Sequence, residues 1–295
     1  MTGPGVDARL EVFTQNRPRL VRIAYGMLGT ISDAEDVVQD VYLGWAEVDL
    51  AGIDSPAAYL TTMTTRRAIN VLSSARRRRE TYVGPWLPEP LVTAFEQDPG
   101  DTVAGTEQCS LAMLTALERL NPIERAVLLL RDVFDLDYAE IANIVDKSPA
   151  NCRQLARRAR DHVGDTSRRR PADPESENRL VAEYLAAVAA DDIDRLARVF
   201  AEDVTLWADG GGRVRAARHP LHGALRVARH LVGVRPQTPP GTRVSVVRVN
   251  GDPAIMGVVD GRCVGLVVLA VQDGVVTAVR AILNPEKLAL VDPAG

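Results

Sequence analysis

Residues 137–163, DYAEIANIVDKSPANCRQLARRARDHV, read as two short helices around a tight turn, and the first half of the chain is understood from them outward. Asp137 is placed to cap the first helix, Glu140 to reach back to the cap's amide and Leu136 to pack on Ile141, which is a capping box with a hydrophobic staple. Ile141, Ala142 and Val145 form its inner face. Asp146 falls where the chain must turn sharply, and Asp visits the left-handed conformation at modest cost. Ser148 caps the second helix and Pro149 takes its first position, where a missing N–H loses no hydrogen bond. Cys152, Leu155, Ala156 and Ala159 then share one side at spacings of three and four, leaving Asn151, Arg153, Gln154, Arg157, Arg158 and Arg160 for the other. Lodged in a DNA major groove about 12 Å wide, such a helix offers Asn, Gln and Arg to base edges and Arg to phosphates. The competing reading is a solvated basic face on an ordinary helical hairpin. The cap, the turn and the Ser-Pro start together favour a DNA-binding helix-turn-helix.

The chain has 295 residues, a length that fits two or three domains. With 35 Lys and Arg against 39 Asp and Glu its net charge is -4, so any affinity for nucleic acid must come from clusters such as Arg76–Arg79 and Arg153–Arg170. Cys109, Cys152 and Cys263 lie far apart without metal-ligand spacing, so neither a metal, a cofactor nor a disulfide framework is expected. No run approaches the 18 or so consecutive apolar residues of a membrane span, and no N-terminal stretch has signal-peptide form; the expectation is a cytoplasmic protein without membrane contact.

Taken in order, residues 9–29 read as a helix broken near Pro18 and ended by Gly29. Ser32 with Glu35 predicts a second capped start, and along that helix Val37, Val38, Val41, Tyr42 and Trp45 turn inward. Asp33, Asp36, Gln39, Asp40 and Glu47 line another face, either a solvated stripe or a surface for a basic protein partner. Ser55-Pro56 opens a third helix with a strongly basic end. There Arg66, Arg67, Asn70, Arg76 and Arg77 are placed to follow a nucleic-acid backbone, although cations near a helix C-terminus also suit the macrodipole. From Tyr82 onward the pattern turns to Pro, Gly and acid, which marks a linker, and its Trp-Leu-Pro-Glu-Pro run calls for a surface to bury it. Helices resume with SLAMLTALERL and with Asn121-Pro122-Ile123-Glu124 before AVLLLRDVF. After a polar boundary at 167–176 the texture changes to a helical pair, a strand entering a glycine loop, another helix and four strands joined by Asn-Gly, Asp-Gly and Asp-Gly turns. This pattern predicts an α+β domain with helices on one face of a curved antiparallel sheet.

Residues 9 to about 165 resemble the extracytoplasmic-function (ECF) sigma factors, promoter-recognition subunits of bacterial RNA polymerase, through AEDVVQD and ERLNPIERAVLLLRDVFDLDYAEIANIV. The likeness is to the subgroup carrying WLPEP, DGGG and an NPEKL-like tail on a fused SnoaL-like domain: here Trp86, Leu87, Pro88, Glu89 and Pro90; Asp209, Gly210, Gly211 and Gly212; and Asn284, Pro285, Glu286, Lys287 and Leu288. It implies a multidomain chain with two all-α sigma domains at 9–83 and 109–168, linkers at 84–108 and 169–177, and the SnoaL-like domain at 178–295. It implies that Asp33, Asp36, Gln39 and Asp40 face core polymerase, that Arg66, Arg67 and Asn70 lie against the -10 promoter element, and that Arg153, Gln154, Arg157 and Arg158 read the -35 element. The chain departs from the family's usual residues at Gly26, Tyr59, Asn70 and Asp146. WLPEP, DGGG and the tail are expected to meet as a regulatory contact, the fused domain standing in for a separate anti-sigma protein. The alternative is a helix-turn-helix regulator whose C-terminal domain senses a small molecule or works as a SnoaL-type enzyme, with Asp209, His219 and His222 as the candidate acid-base groups. Asp209 before three glycines is more simply a turn residue, so the chain is read as no enzyme.

Overall fold

The computed structural model describes residues 4–79, 81–94, 109–164 and 174–292. The chain divides into two compact units, Met1–Glu80 with Met113–Ser167, and Thr81–Ala112 with Arg168–Gly295. The two expected sigma domains thus lie in one unit. The stretch expected as a linker contributes its described residues to the other.

The first unit is all helical: α1 (Pro4–Leu28), α2 (Ile31–Ala46), α3 (Pro56–Arg79), α5 (Pro122–Asp132), α6 (Tyr138–Val145) and α7 (Pro149–Val163), with α4 (Leu111–Leu117) running in from the second unit. The expected break at Pro18 does not occur, since α1 continues through it. Packing on both sides of the proline overrides its local cost: the Phe13 and Tyr42 rings meet in a tilted contact with centroids 4.9 Å apart, the Trp45 indole donates to the Arg9 carbonyl, and Leu20, Ile23, Ala24 and Met27 are fully buried beyond it. The Ser32 capping box is also absent. α2 starts at Ile31, and its N-cap Thr30 makes no cap bond but donates its hydroxyl to Asp33 at 2.6 Å. Elsewhere the caps form as expected. Asn121 and Asp137 each accept two backbone amides while Glu124 and Glu140 reach back, and Ser148 accepts the Asn151 amide. Asp146 ends α6 at φ 54, in the left-handed region. α5, α6 and α7 then pack on one another.

The second unit is built on a seven-stranded sheet in the order β1-β4-β5-β6-β7-β2-β3, comprising β1 (Val92–Ala94), β2 (Phe200–Asp209), β3 (Leu221–His222), β4 (Arg243–Val249), β5 (Asp252–Val259), β6 (Arg262–Gln272) and β7 (Val275–Ile282). Strands β4 to β7 are the expected meander. Its turns Asn250-Gly251, Asp260-Gly261 and Asp273-Gly274 all have positive φ at both positions, the geometry that matches the strands' twist. The sheet is mixed rather than purely antiparallel, because β2 lies parallel to β7. α8 (Pro174–Ala189), α9 (Ile193–Val199) and α10 (Ala224–Val234) cover one face, burying Tyr184, Leu196, Val227, Leu269 and Val279. The opposite face, with Val249, Met256, Leu266, Val268 and Ile282, is covered by Leu87, Leu111, Leu288 and Val291. Fully burying Leu87 contributes about 1.5–3 kcal/mol to holding the 81–94 strap in place.

Asp146→Gly should raise the stability of the first unit by about 1 kcal/mol, since glycine removes the Cβ penalty of the left-handed turn. Asp137→Ala should lower it by about 1 kcal/mol through loss of the cap. Thermal unfolding followed by circular dichroism reads both, and a Gly variant that melts lower than the parent would show that the Asp146 side chain stabilises the turn.

Candidate functional site

α7 is anchored by burial of Cys152, Leu155, Ala156, Ala159 and Val163 against the first unit's core, where burial also raises the Cys152 thiol pKa. Asn151, Arg153, Gln154, Arg157, Arg158 and Arg160 all lie on its exposed side. They are not equivalent. Arg160 is held by Asp132 through a two-nitrogen fork, and Arg153 lies over the Tyr138 ring at 5.6 Å. A fork to carboxylate is a strong pairing, so Arg160 acts first as a brace between α7 and α5.

On α3, Arg66, Arg67 and Asn70 are exposed and, with Asp40, Val41, Leu43 and Met63, line an open cleft of about 460 Å³. Both arginines are engaged. Arg66 donates to the carbonyls of Asn143 and Ile144, each at 2.8 Å, satisfying the orphan acceptors at the end of α6; Arg67 pairs with Asp40 at 2.5 Å. α3 continues through Arg76 and Arg77, whose side chains lie outside the described residues. Along α2, Asp36 and Gln39 are exposed and Asp33 is half-buried. Arg125 was not anticipated from sequence. Buried in α5, it donates to the carbonyls of Met27 and Leu117 and pairs with Glu118, tying α1 to the α4–α5 corner.

The second unit brings three distant segments onto one carboxylate. Asp209, fully buried at the end of β2, accepts the Tyr82 hydroxyl at 2.6 Å and the Gly211 amide at 3.0 Å on one oxygen. The other oxygen accepts the Leu87 amide at 2.9 Å and the Lys287 ammonium at 2.6 Å. Lys287 also donates to the Leu87 carbonyl and lies 4.3 Å from the centre of the Trp86 ring, so its charge is met by an anion, a dipole and a π face. Asn284 caps α11 (Pro285–Leu288) with its oxygen and donates from its amide to the Tyr82 hydroxyl at 2.9 Å. Burial, and then the bond to Asp209, push the Tyr82 pKa well up.

The glycines follow from crowding. A Cβ on Gly210 would stand 2.3 Å from the Val214 carbonyl oxygen, and one on Gly211, at φ 60, would stand 2.4 Å from the Asn284 amide nitrogen. Gly212 packs against Val83. Pro88, Glu89 and Pro90 are buried, and Glu286 pairs with Arg213 at 2.9 Å. Past Pro90 the strap exchanges bonds with Asn250 and then adds β1 to β4. Thus Trp86–Pro90, Asp209–Gly212 and Asn284–Leu288 do meet. Sequence reading missed Tyr82 and Asn250, the two side chains that fasten the strap's ends. His219 and His222 are exposed and make none of the bonds to Asp209; His222 lies within 3.1 Å of the Thr205 hydroxyl.

Residues 12–78 match the family profile described as Sigma-70 region 2, and residues 110–163 that described as Sigma-70, region 4. The ECF RNA polymerase sigma factor SigJ of Mycobacterium tuberculosis is 36% identical over 286 residues, 93% of this chain and 91% of that protein. The probable ECF RNA polymerase sigma factor SigI of the same organism is 28% identical over 278 residues, 92% of each chain. The crystal structure of the M. tuberculosis extracytoplasmic function sigma factor SigJ matches with a TM-score of 0.76 at 34% identity, over 95% of this chain and 98% of that one.

Lys287→Met leaves the Asp209 carboxylate buried without its cation and should cost about 3–5 kcal/mol. The strap between Tyr82 and Ala94 should become sensitive to protease, and an unchanged melting temperature with a protected strap would refute the clasp. Because the folded-state pKa of Tyr82 lies above its ordinary value of about 10, stability present below pH 10 should decline as pH rises beyond it, and Tyr82→Phe should flatten that decline.

Proposed function

This chain belongs to the extracytoplasmic-function (ECF) sigma factors of bacterial RNA polymerase, and from that premise we propose how its parts divide the work of promoter recognition. The carrying observation is α7, which buries its apolar side and leaves Asn151, Arg153, Gln154, Arg157 and Arg158 on the other. These five residues would enter the major groove of the -35 element, with Arg160 setting the pose of the helix. Arg66, Arg67 and Asn70 would meet the -10 element, together with Arg76 and Arg77. The acidic side of α2, with Asp33, Asp36, Gln39 and Asp40, would take up core polymerase, since like charge keeps phosphate away and opposite charge suits a basic protein surface. The working compartment is then the cytoplasm, where polymerase and promoter are.

In the arrangement described, Arg66 is engaged by the end of α6 and Arg67 by Asp40, and we read the Arg66 contact as one that DNA binding would have to exchange. That exchange gives up two charge-assisted bonds from an exposed arginine, roughly 1.5 kcal/mol each at the low end of the usual range, for contacts to DNA. Polymerase docking on Asp40 would free Arg67 for DNA, so that the two partners would favour each other's binding. The second unit would act as a regulator in the same chain, in place of a separate anti-sigma protein. The regulated element would be the strap, retained or released by the bonds of Asp209 and Lys287. Catalysis is disfavoured because the Asp209 carboxylate is fully buried and already occupied by four donors, none of them a histidine.

Run-off transcription with bacterial core enzyme and a genomic promoter library tests the sigma reading, and no initiation from any template would sink it. If Arg157 holds a phosphate, Arg157→Ala should weaken binding to every promoter alike and lower the salt slope by about 1; if it reads a base, discrimination at one position should relax by about 1–3 kcal/mol. Asp40→Lys should weaken core binding in a pull-down. Normal core affinity in that variant would remove α2 from the docking face.

A further inference from the structure

The second unit is electrically two-sided along the sequence. Residues 174–212 carry nine Asp or Glu and three Arg, whereas residues 213–235 carry six Arg, three of the chain's four His and no acid. The basic run forms the loop after β2, the edge strand β3 and helix α10. Its two terminal arginines are neutralised, Arg213 by Glu286 and Arg235 by Asp191. The four between them, Arg215, Arg218, Arg226 and Arg229, are all exposed, and none pairs with a carboxylate among the described residues.

Their backbone is well fixed. α10 is pinned by buried Val227, Ala228 and Leu231, which places Arg226 and Arg229, three apart, on its solvent side. The loop is held where Gly84 of the strap abuts Arg218 and Ala217, and where Gly212 meets Val83. An ordinary solvated surface mixes both signs. Four exposed cations without a carboxylate partner among the described residues, in a run of 23 residues that holds no acid, suit a polyanion. The strap reaches this loop at Val83, four residues after the last arginine of α3 in sequence.

We propose that Arg215, Arg218, Arg226 and Arg229 form a sequence-independent contact to the phosphate backbone of promoter DNA, making the second unit a direct DNA-binding element of the initiating complex. Guanidinium groups suit phosphate oxygens, and such contacts position a protein on duplex DNA without reading bases. The proposal rests on the promoter reading given above.

The experiment compares holoenzyme assembled with the parent chain and with a chain carrying Arg215→Gln, Arg218→Gln, Arg226→Gln and Arg229→Gln, on one promoter duplex across a salt series. The Gln variant should bind more weakly, and its dependence of log affinity on log salt should be shallower by about 0.9 for each phosphate no longer neutralised, up to about 3.6. The same four positions changed to Lys should recover the parent slope, and Arg262→Gln, an exposed site on β6, should leave it untouched. Equal melting temperatures show that the variants are folded. An unchanged slope and affinity in the Gln variant overturns the proposal. So does an unchanged slope with weakened core binding, which would assign the patch to an acidic surface of polymerase. If the parent holoenzyme initiates nowhere, the promoter reading fails instead, and the parent and Gln chains on a plain duplex without polymerase still decide whether the patch binds DNA.

Discussion

A carboxylate taken wholly out of water has to be given donors on both oxygens, and Asp209 obtains them from residues that lie up to 127 positions away in the chain. Each donor is tolerated in the interior only while the others are present, because an incompletely satisfied buried charge costs several kcal/mol. The strap, the glycine loop and the C-terminal turn therefore close together. Tyr82 and Asn284 share a hydroxyl, Lys287 bridges Asp209 and the Leu87 carbonyl, and the absence of side chains at Gly210 and Gly211 leaves room for Val214 and Asn284 to approach. Around this polar knot lies apolar cover from Leu87, Leu111 and Leu288. The knot sets register, and the cover supplies adhesion.

Local chemistry was legible in the sequence wherever a residue's job concerns its immediate neighbours. Asp137 and Asn121 cap because their oxygens reach amides two and three residues on; Asp146 turns; Asn250-Gly251, Asp260-Gly261 and Asp273-Gly274 close hairpins. The meeting of the tryptophan-proline, glycine and tail motifs was anticipated through family likeness, and no spacing within the chain would have brought them together. What stayed hidden depends on partners far off in the chain. β1 is three residues long and has no alternation to betray it, so its pairing with β4 is decided by Asn250 holding Leu91. The parallel seat of β2 beside β7, the uninterrupted α1 and the burial of Arg125 are likewise consequences of packing, which overrides the local preferences of Pro18 and of a charged side chain.

The arginines show how little charge says by itself. Arg125 is an internal strut on two carbonyls, Arg66 ends a helix other than its own, Arg67 and Arg160 are committed to Asp40 and Asp132, and Arg157 and Arg158 stand in solvent on α7. All carry the same group. Their difference lies in desolvation and in which acceptors the backbone leaves nearby, so a basic cluster becomes a nucleic-acid surface only after the internal claims on it have been subtracted.

The order of synthesis gives the strap a history. Leu87 leaves the ribosome 122 residues before Asp209 and 200 before Lys287. At the usual 5–20 residues per second, roughly 10 to 40 seconds separate the strap from its second fastening. Within that interval α5, α6 and α7 are complete and able to fold, while Trp86 and Leu87 have no sheet to cover. Every molecule therefore begins life unclasped, with its helix-turn-helix finished first. A nascent chain and a finished one of identical sequence differ in state until Lys287 has emerged and can reach Asp209 and the Leu87 carbonyl.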